Sequence, residues 1–229
     1  MTKTTANVVI CGAGIAGIST AYYLSVKAGI KNILIVDERP PLTLTSDKST
    51  ECYRNWWPGP DDVMVRFMNR SIDLLESMAR ETNNMFNLSR RGYLFLTGDE
   101  ARADKLREDA IKISQMGAGP LRVHDDRYAL LDYTRAPAEG FEGQPTGADL
   151  ILDPEIMMSH YPFITEGTVA GIHARRCGWF SAQQLGMYML EQSLSHGAQL
   201  LKARVVGATL NGGRIRSLRL QTGGEDHQV

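Results

Sequence analysis

The sequence is poor in cysteine, in net charge and in long apolar runs. Its three cysteines, Cys11, Cys52 and Cys177, are widely spaced and form no CxxC pair, which excludes a disulfide framework and argues against a thiolate metal site. The 25 basic and 26 acidic residues leave a formal net charge of -1, so the basic excess typical of nucleic-acid-binding proteins is missing. We expect neither a metal nor a nucleic-acid partner.

No window reaches about 18 uninterrupted apolar residues, and the first apolar run, Val8 to Cys11, is too short for the core of a signal peptide. We therefore expect no transmembrane segment and a reducing, cytoplasmic location. Hydrophobic residues still make up 43% of the 229 positions, which is enough for one sizeable core or two modest ones and excludes disorder as the main state.

A glycine-rich turn follows the first apolar run. The β-branched residues Val8 to Ile10 predict a buried parallel strand, and Gly12-Ala-Gly14-Ile-Ala-Gly17 then leads into a helical pattern. Gly12 permits a tight turn, Gly14 lets the backbone approach a pyrophosphate, and Gly17 lets the helix pack closely on the strand. The pyrophosphate would lie on unpaired N–H groups at the start of the helix, among Gly14, Ile15, Ala16 and Gly17.

A second apolar strand, Asn32 to Val36, ends at Asp37 and Glu38. Asp37 lies 25 positions after Gly12 (37 minus 12), close to the spacing of about 20 expected for a carboxylate that accepts hydrogen bonds from an adenosine ribose. An acidic residue there disfavours a 2′-phosphate, and therefore NADP. The motif predicts a dinucleotide site and leaves FAD and NAD open.

The next segment favours FAD. A long loop rich in hydroxyls and aromatics, from Thr43 to Gly59, stands where an NAD-type unit would continue to a helix and a third strand. Loops of this length in compact domains tend to be functional.

Five segments together resemble the D-amino-acid oxidase and sarcosine oxidase family (DAO family) of FAD-dependent oxidoreductases: Val8–Leu24, the strand end at Asp37, Ser46–Thr50, Arg91–Leu96 and Cys177–Ser181. The resemblance implies an α/β fold: a Rossmann-like FAD-binding domain of the GR2 type with a parallel sheet, plus part of an inserted substrate domain whose antiparallel sheet covers the flavin. The implied cofactor is FAD. The implied activity is oxidation of an amine or amino acid, N-methylated ones included, by hydride transfer to flavin.

The resemblance also implicates individual residues. The loop after the second strand runs along the pyrophosphate and ribityl chain, which points to Ser46, Lys48, Ser49 and Thr50; the alternative for Lys48 is a solvated loop lysine. Arg54 lies further along and is the candidate for stabilising the reduced flavin or binding a substrate carboxylate. The residue matching Val205 contacts the adenine side through its backbone.

Other candidates have simpler explanations. We interpret Trp56 and Trp57 as core or cleft packing rather than a substrate cage. His160, at the end of a short helix from Asp153, is more often a cap than a catalyst, and His173 is a weak candidate without partners in sequence. The sequence offers no convincing catalytic dyad.

The remaining pattern predicts the division of the chain. Helices are expected over 61–81, 99–116 and from Ser181 to His196, a strand over 198–206 as the third parallel strand, and a hairpin at Asn211-Gly212-Gly213. We assign residues 1–90 to the first segment of the FAD-binding domain, 91–166 to the substrate side, and 167–229 to the return to the FAD-binding domain.

The end of the chain carries a further expectation. Thr222-Gly-Gly224 makes a turn, but only residues 225–229 follow, so the hairpin is expected to lack its partner strand. Together with the family resemblance, this predicts the N-terminal half of a larger flavoenzyme, with a partner subunit as one source of the rest. The alternatives are a non-catalytic FAD-binding assembly factor or half-subunit, and an NAD-dependent dehydrogenase.

Overall fold

The computed structural model describes residues 5–125 and 132–229, without the side chain of His227. The chain divides into two compact units, Met1–Ser49 with Ser181–Val229, and Thr50–Phe180. The boundaries expected from the sequence, at residues 90 and 166, concern functional domains of a flavoenzyme and stay a prediction.

Each unit has its own set of elements, numbered along the chain. The first unit contains β1 (Val8–Cys11), α1 (Ile15–Tyr22), β2 (Ile33–Asp37), α2 (Thr45–Lys48), α6 (Ala182–Ser195), β9 (Ala198–Lys202), β10 (Arg204–Asn211), β11 (Arg214–Thr222) and β12 (Glu225–Gln228). The second contains β3 (Cys52–Arg54), α3 (Val63–Glu81), β4 (Tyr93–Thr97), α4 (Glu100–Ile113), β5 (Leu121–His124), β6 (Ala148–Ile151), α5 (Pro154–His160), β7 (Ala170–Ala174) and β8 (Cys177–Trp179). No helix among the described residues is long and apolar enough to cross a membrane.

The first unit is built on a parallel sheet in the order β1-β2-β9. Val8 of β1 pairs with Ile33 of β2, and Ile33 pairs in turn with Ala198 of β9. Residues 33–36 of the central strand are all buried, as expected for a strand covered on both faces. This strand order is that of the first half of a Rossmann unit, with a crossover helix after β1.

Two helices of the first unit pack against each other. α1 continues through a π-helical turn, Tyr23–Lys27, and its Tyr22 ring lies 6.2 Å from the ring of Tyr188 in α6. α6 begins as predicted, because the Ser181 hydroxyl accepts a hydrogen bond from the backbone N–H of Gln184 at 3.3 Å.

The predicted single strand over 198–206 is wrong, because the chain changes sheets within it. β9 ends at Lys202, and the buried Ala203 donates its N–H to the carbonyl of Asp37 at 2.9 Å. β10 then starts a separate antiparallel sheet in the order β10-β11-β12, in which Val205 pairs with Leu220. Val205 therefore lies outside the parallel sheet.

The hairpin between β10 and β11 is confirmed at Gly212 and Gly213, which both have positive φ, 58° and 74°. The expectation that the next hairpin lacks a partner strand is wrong. β12 pairs with β11 from Arg219 to Thr222, and Val229 and Leu218 exchange backbone hydrogen bonds at 2.7 and 3.0 Å. Four residues are enough, because the turn at Gly223 and Gly224 reverses the chain at once.

The second unit is built on a four-stranded sheet in the order β4-β7-β6-β5. The sheet is antiparallel, as expected, except for its parallel β5–β6 pair. One buried cluster includes Trp56, Val65, Ile113, Leu150 and Ile172, and a second joins Tyr133, Ile151, Met157 and Tyr161. The consecutive residues Leu150 and Ile151 of β6 thus belong to different clusters, which fits a sheet with both faces covered. Trp56 is core packing, as interpreted from the sequence.

Candidate functional site

The glycine-rich turn joins β1 to α1 in a closely packed geometry. Gly12 has φ +110°, a conformation that residues with a side chain rarely adopt. A β-carbon on Gly17 would lie 2.0 Å from the carbonyl oxygen of Gly12, so only glycine lets the helix rest on the turn. The backbone conformation therefore requires glycine at position 12, and the packing of the helix on the turn requires it at position 17.

Gly14 differs from the other two glycines of the motif, because neither its conformation nor its surroundings require glycine. Its φ of -78° is accessible to any residue, and a β-carbon there would meet no atom within 4 Å. Nothing in the described packing therefore requires glycine at this position. Close approach of a ligand to the backbone does require it, because a side chain would fill the space directly before the helix.

An oxygen atom of the protein lies at the start of α1. Gly14 offers no side-chain cap, and the backbone N–H of Ile15 donates to the hydroxyl oxygen of Ser46 at 3.2 Å. Unpaired N–H groups at a helix start, together with the helix dipole, favour oxygen acceptors and above all anionic ones. The hydroxyl oxygen of Ser46 stands in for such an acceptor.

Asp37 ends β2 with its carboxylate turned toward the glycine-rich turn. Oδ2 accepts the backbone N–H of Ala13 at 2.7 Å, and Oδ1 accepts that of Arg39 at 2.9 Å. Each oxygen of an ionised carboxylate has two acceptor positions, so one remains on each oxygen for a hydroxyl donor. The two backbone bonds fix the orientation in which a ribose could be bound.

These residues line one cleft of the first unit, with a volume of about 280 Å³. The predicted residues that it brings together are Gly14, Ile15, Ala16, Asp37 and Ser46. Leu42 and Thr43 also line it and were missed from the sequence. Leu42 has a positive φ of 62°, and its N–H donates to the carbonyl of Ala13 at 2.9 Å. The preceding Pro40-Pro41 was the available signal that the chain turns here.

Other predicted residues lie outside this cleft. Gly12 and Gly17 shape the turn behind it, while Glu38 is exposed 4.0 Å from the Arg204 guanidinium. Lys48 is exposed and pairs with Asp47, which fits the solvated-lysine alternative. Three more predicted residues do not line the cleft: Ser49 at the end of α2, Thr50 at the start of the second unit and Val205 in β10.

Arg54 is held by aromatic rings in the second unit. Its guanidinium carbon lies 4.1 Å from the centre of the Trp57 ring and 5.8 Å from that of Tyr93. The indole N–H of Trp57 donates to the backbone carbonyl of Arg54 at 3.0 Å. Cation–π contacts of this kind help to fix the position of a guanidinium, while its N–H groups stay available in the guanidinium plane.

His173 is a buried, hydrogen-bonded core residue. Its Nδ1 accepts from the hydroxyl of Tyr133 at 2.8 Å, and its Nε2 donates to the carbonyl of Arg91 at 3.2 Å. Burial, and then the Arg175 charge, lower the pKa of His173 to about 4. The hydroxyls of Tyr133 and Tyr161 are 2.6 Å apart, which completes the network. Both ring nitrogens already have partners, so a structural role is sufficient.

The His160 ring packs edge-on against Tyr133 with centroids 4.8 Å apart, and burial together with the Arg135 charge lowers its pKa. Within the described ranges, no group of three or more histidine, cysteine or acidic side chains could hold a metal ion.

A buried ionic cluster in the second unit was missed from the sequence. The Asp149 carboxylate accepts hydrogen bonds from Arg122 at 2.7 Å, from His124 at 2.9 Å and from Arg175. Burial alone would raise the pKa of Asp149, but these three side chains hold it well below the usual range. The partners lie far apart in sequence, and no local pattern links them.

Comparisons with known proteins agree with this geometry. A sequence profile of the DAO family, described as FAD dependent oxidoreductase, matches residues 7–229. A search of curated proteins finds no match. Among solved structures, L-proline dehydrogenase from P. horikoshii superposes with a TM-score of 0.74 at 18% identity, over 95% of this chain and 50% of that protein.

Two further structures extend the set. Iminodiacetate oxidase from Chelativorans sp. superposes with a TM-score of 0.69 at 22% identity, over 96% of this chain and 52% of that protein. L-α-glycerophosphate oxidase from Mycoplasma pneumoniae, solved with FAD bound, superposes with a TM-score of 0.65 at 13% identity, over 95% of this chain and 50% of that protein. These likenesses confirm the predicted fold, and the chain spans about half the length of each of these proteins.

Proposed function

Since this chain belongs to the DAO family of FAD-dependent oxidoreductases, we propose that it forms the FAD-binding part of an enzyme that oxidises an amine or amino acid by hydride transfer to flavin. Gly14 is the observation that carries the proposal, because the packing of the chain does not require a glycine there and a dinucleotide does. The family's cofactor is FAD, which removes the reason to prefer NAD.

The residues around the cleft fit a dinucleotide. The N–H groups at the start of α1 bind pyrophosphate oxygens, with Ser46 moving from its bond to Ile15 to contact the phosphate through its hydroxyl. Asp37 accepts the ribose hydroxyls on its remaining acceptor positions. Ala16 and Gly17 belong to the same first turn of the helix, and Glu38 follows Asp37 at the end of β2. Ser49, Thr50 and Val205 keep the roles that the family resemblance implies, while the pairing of exposed Lys48 with Asp47 favours the solvated-lysine alternative.

The substrate class rests on chemistry shared with similar proteins. When bound, flavin accepts the hydride from the carbon next to the amine nitrogen. Proline and iminodiacetate, named in two of the similar structures, are secondary amines that carry carboxylates. Arg54, fixed over Trp57, is the residue of this chain that we propose to bind a substrate carboxylate or to stabilise negative charge on the reduced flavin.

The rest of the enzyme is also part of the proposal. Similar structures are about twice as long as this chain, so we propose that a further segment or a partner subunit supplies the remainder of the substrate site. The three cysteines, all free, are consistent with the cytoplasmic location expected from the sequence.

Flavin binding is tested with the purified chain. We expect visible flavin absorption, or quenching of FAD fluorescence on titration, and at least a tenfold loss of FAD affinity in Gly14→Ala with the melting temperature preserved. Gly167→Ala is the matched control, because a β-carbon there meets only a distant hydroxyl at 4.0 Å and its φ is not positive. A chain stabilised by NAD and not by FAD, or normal FAD affinity in Gly14→Ala, would contradict the proposal.

Activity is tested by anaerobic mixing of the flavin-loaded chain with a panel of amines, amino acids and 2-hydroxy acids. Bleaching of the flavin by an amine supports the enzyme. The alcohol substrate in the name of glycerophosphate oxidase is the reason to include hydroxy compounds. A chain that binds FAD but is bleached by no compound, even with a partner segment added, would favour the non-catalytic FAD-binding alternative.

A further inference from the structure

The second unit contains a large cavity that shares no residue with the dinucleotide cleft. Its volume is about 1190 Å³, and it lies between the start of β4, residues 135–138 and the end of α5. Small-molecule sites typically occupy about 300–1,000 Å³, so this cavity has room for a ligand larger than an amino acid.

Two arginines in the cavity wall, Arg91 and Arg135, form hydrogen bonds to uncharged backbone carbonyls. Arg91 donates from Nε to the carbonyl of Ala138 at 2.5 Å, and Arg135 donates from a terminal nitrogen to the carbonyl of His160 at 3.3 Å. The carbonyls are uncharged, and within the described parts of the chain neither guanidinium forms an ion pair with a carboxylate. None of the described residues that line the cavity is acidic. Each guanidinium thus has one backbone hydrogen bond and keeps its positive charge beside the cavity.

A buried hydrogen-bond network lies behind the arginines. Tyr161 lines the cavity and is 6% exposed, and its hydroxyl lies 2.6 Å from that of Tyr133. The Tyr133 hydroxyl is bonded to His173, which is bonded in turn to the backbone of Arg91. The cavity wall is thus tied by hydrogen bonds to the backbone of Arg91, just before β4.

The remaining lining is suited to an organic molecule. Leu94, Pro137 and Pro162 provide apolar surface, and Ser159 and His160 add polar groups. Arginine pairs well with planar or tetrahedral oxyanions, because its N–H groups match two ligand oxygens at once. A neutral ligand would leave the two guanidinium charges unused.

We infer that this cavity binds an organic anion, whose carboxylate or phosphate oxygens pair with Arg91 and Arg135 and whose apolar part lies against Leu94, Pro137 and Pro162. The inference goes beyond the proposed function and does not depend on flavin binding, because the cavity shares no residue with the dinucleotide cleft. Its failure therefore leaves the proposal for FAD intact.

The test uses three probes of similar shape on the 229-residue chain: benzoate, phenyl phosphate and the neutral benzamide, each titrated by calorimetry. We expect at least one anion to bind tenfold or more tightly than benzamide, with an affinity that falls as salt is added. The stronger of the two anions identifies a carboxylate or a phosphate ligand.

Variants then assign the binding to the two arginines. Arg91→Gln with Arg135→Gln is expected to weaken the anion at least tenfold, while Arg102→Gln with Arg107→Gln, on exposed positions of α4 and with the same change in charge, leaves it unchanged. Arg91→Lys with Arg135→Lys keeps the charge but not the planar fork, and an intermediate loss is expected. Circular dichroism verifies folding of each variant. Equal binding of benzamide and the anions, or equal losses in the two glutamine pairs, would overturn the inference.

Discussion

Gly17 lies so close to Gly12 that a β-carbon on Gly17 would come within 2.0 Å of the Gly12 carbonyl oxygen and 3.3 Å of the Ile10 side chain. The contact joins the crossover helix to the strand before it. Because the nearest atoms are backbone, they cannot swing aside as a flexible side chain would.

Gly17→Ala is therefore expected to lower the free energy of unfolding by about 2–4 kcal/mol, since the helix must lift from the turn. Urea denaturation measures the loss. Gly14→Ala, three residues earlier in open space, is the control and should unfold at nearly the wild-type urea concentration. Similar stability of both variants would show that the turn has enough freedom to absorb the methyl group.

Asp37→Asn is expected to weaken FAD binding at least tenfold, because the amide has one acceptor oxygen where the carboxylate has two. Stability should fall by only about 1 kcal/mol, since the remaining oxygen still accepts the Ala13 N–H. Fluorescence titration and thermal unfolding separate the two effects. Asp104→Asn, on the exposed face of α4, is the control, and an unchanged FAD affinity in Asp37→Asn would exclude the ribose role.

Gly92→Ala tests the wall of the large cavity. The new β-carbon would lie 2.1 Å from Nε2 of His173 at a φ of +78°, so both contact and backbone conformation oppose it. We expect a loss of about 3 kcal/mol or more in unfolding free energy by urea denaturation. Gly117→Ala has φ +97° with open space around it and should lose only about 1 kcal/mol. Equal losses would mean that the His173 ring moves freely.

His173 predicts a pH dependence of stability. Its folded pKa of about 4 lies below the ordinary value of 6.5, so the unfolded chain takes up a proton first as the pH falls. Protonation of His173 has no effect on the free energy of unfolding above about pH 6.5. As the pH approaches 4, it lowers this free energy by up to about 3 kcal/mol. Urea denaturation at several pH values from 7.5 to 4.5 gives the unfolding free energy as a function of pH. This free energy should fall less steeply with decreasing pH for His173→Gln than for wild type. His196→Gln is the control, and identical slopes for wild type and His173→Gln would contradict the prediction.

Local signals in the sequence predicted the elements whose cause is local. The glycine-rich turn depends on atoms within six residues, the hairpin at Gly212 and Gly213 on two glycines, and the start of α6 on the Ser181 hydroxyl. Five predicted residues line one cleft for the same reason, since they follow adjacent strands of a parallel sheet.

Structural features that depend on contacts between residues far apart in sequence were not predicted. The segment 198–206 contains no glycine or proline that would predict a break, and the change of sheet at Ala203 accompanies its bond to Asp37. Asp149 is separated from Arg122 by 27 positions and from Arg175 by 26, so no pattern announces their cluster. The positive φ of Leu42 likewise follows from its bond to Ala13 and not from its residue type.

The pairing of Ile33 with Ala198 has a consequence for how the chain folds. The whole second unit lies between these two residues in sequence, so the parallel sheet has very high contact order, while the second unit is continuous. During synthesis from the N-terminus, residues 50–180 are complete before β9 leaves the ribosome. Folding of that unit first brings its two ends into a fixed relation, which shortens the effective loop that β2 and β9 must close and speeds formation of the parallel sheet.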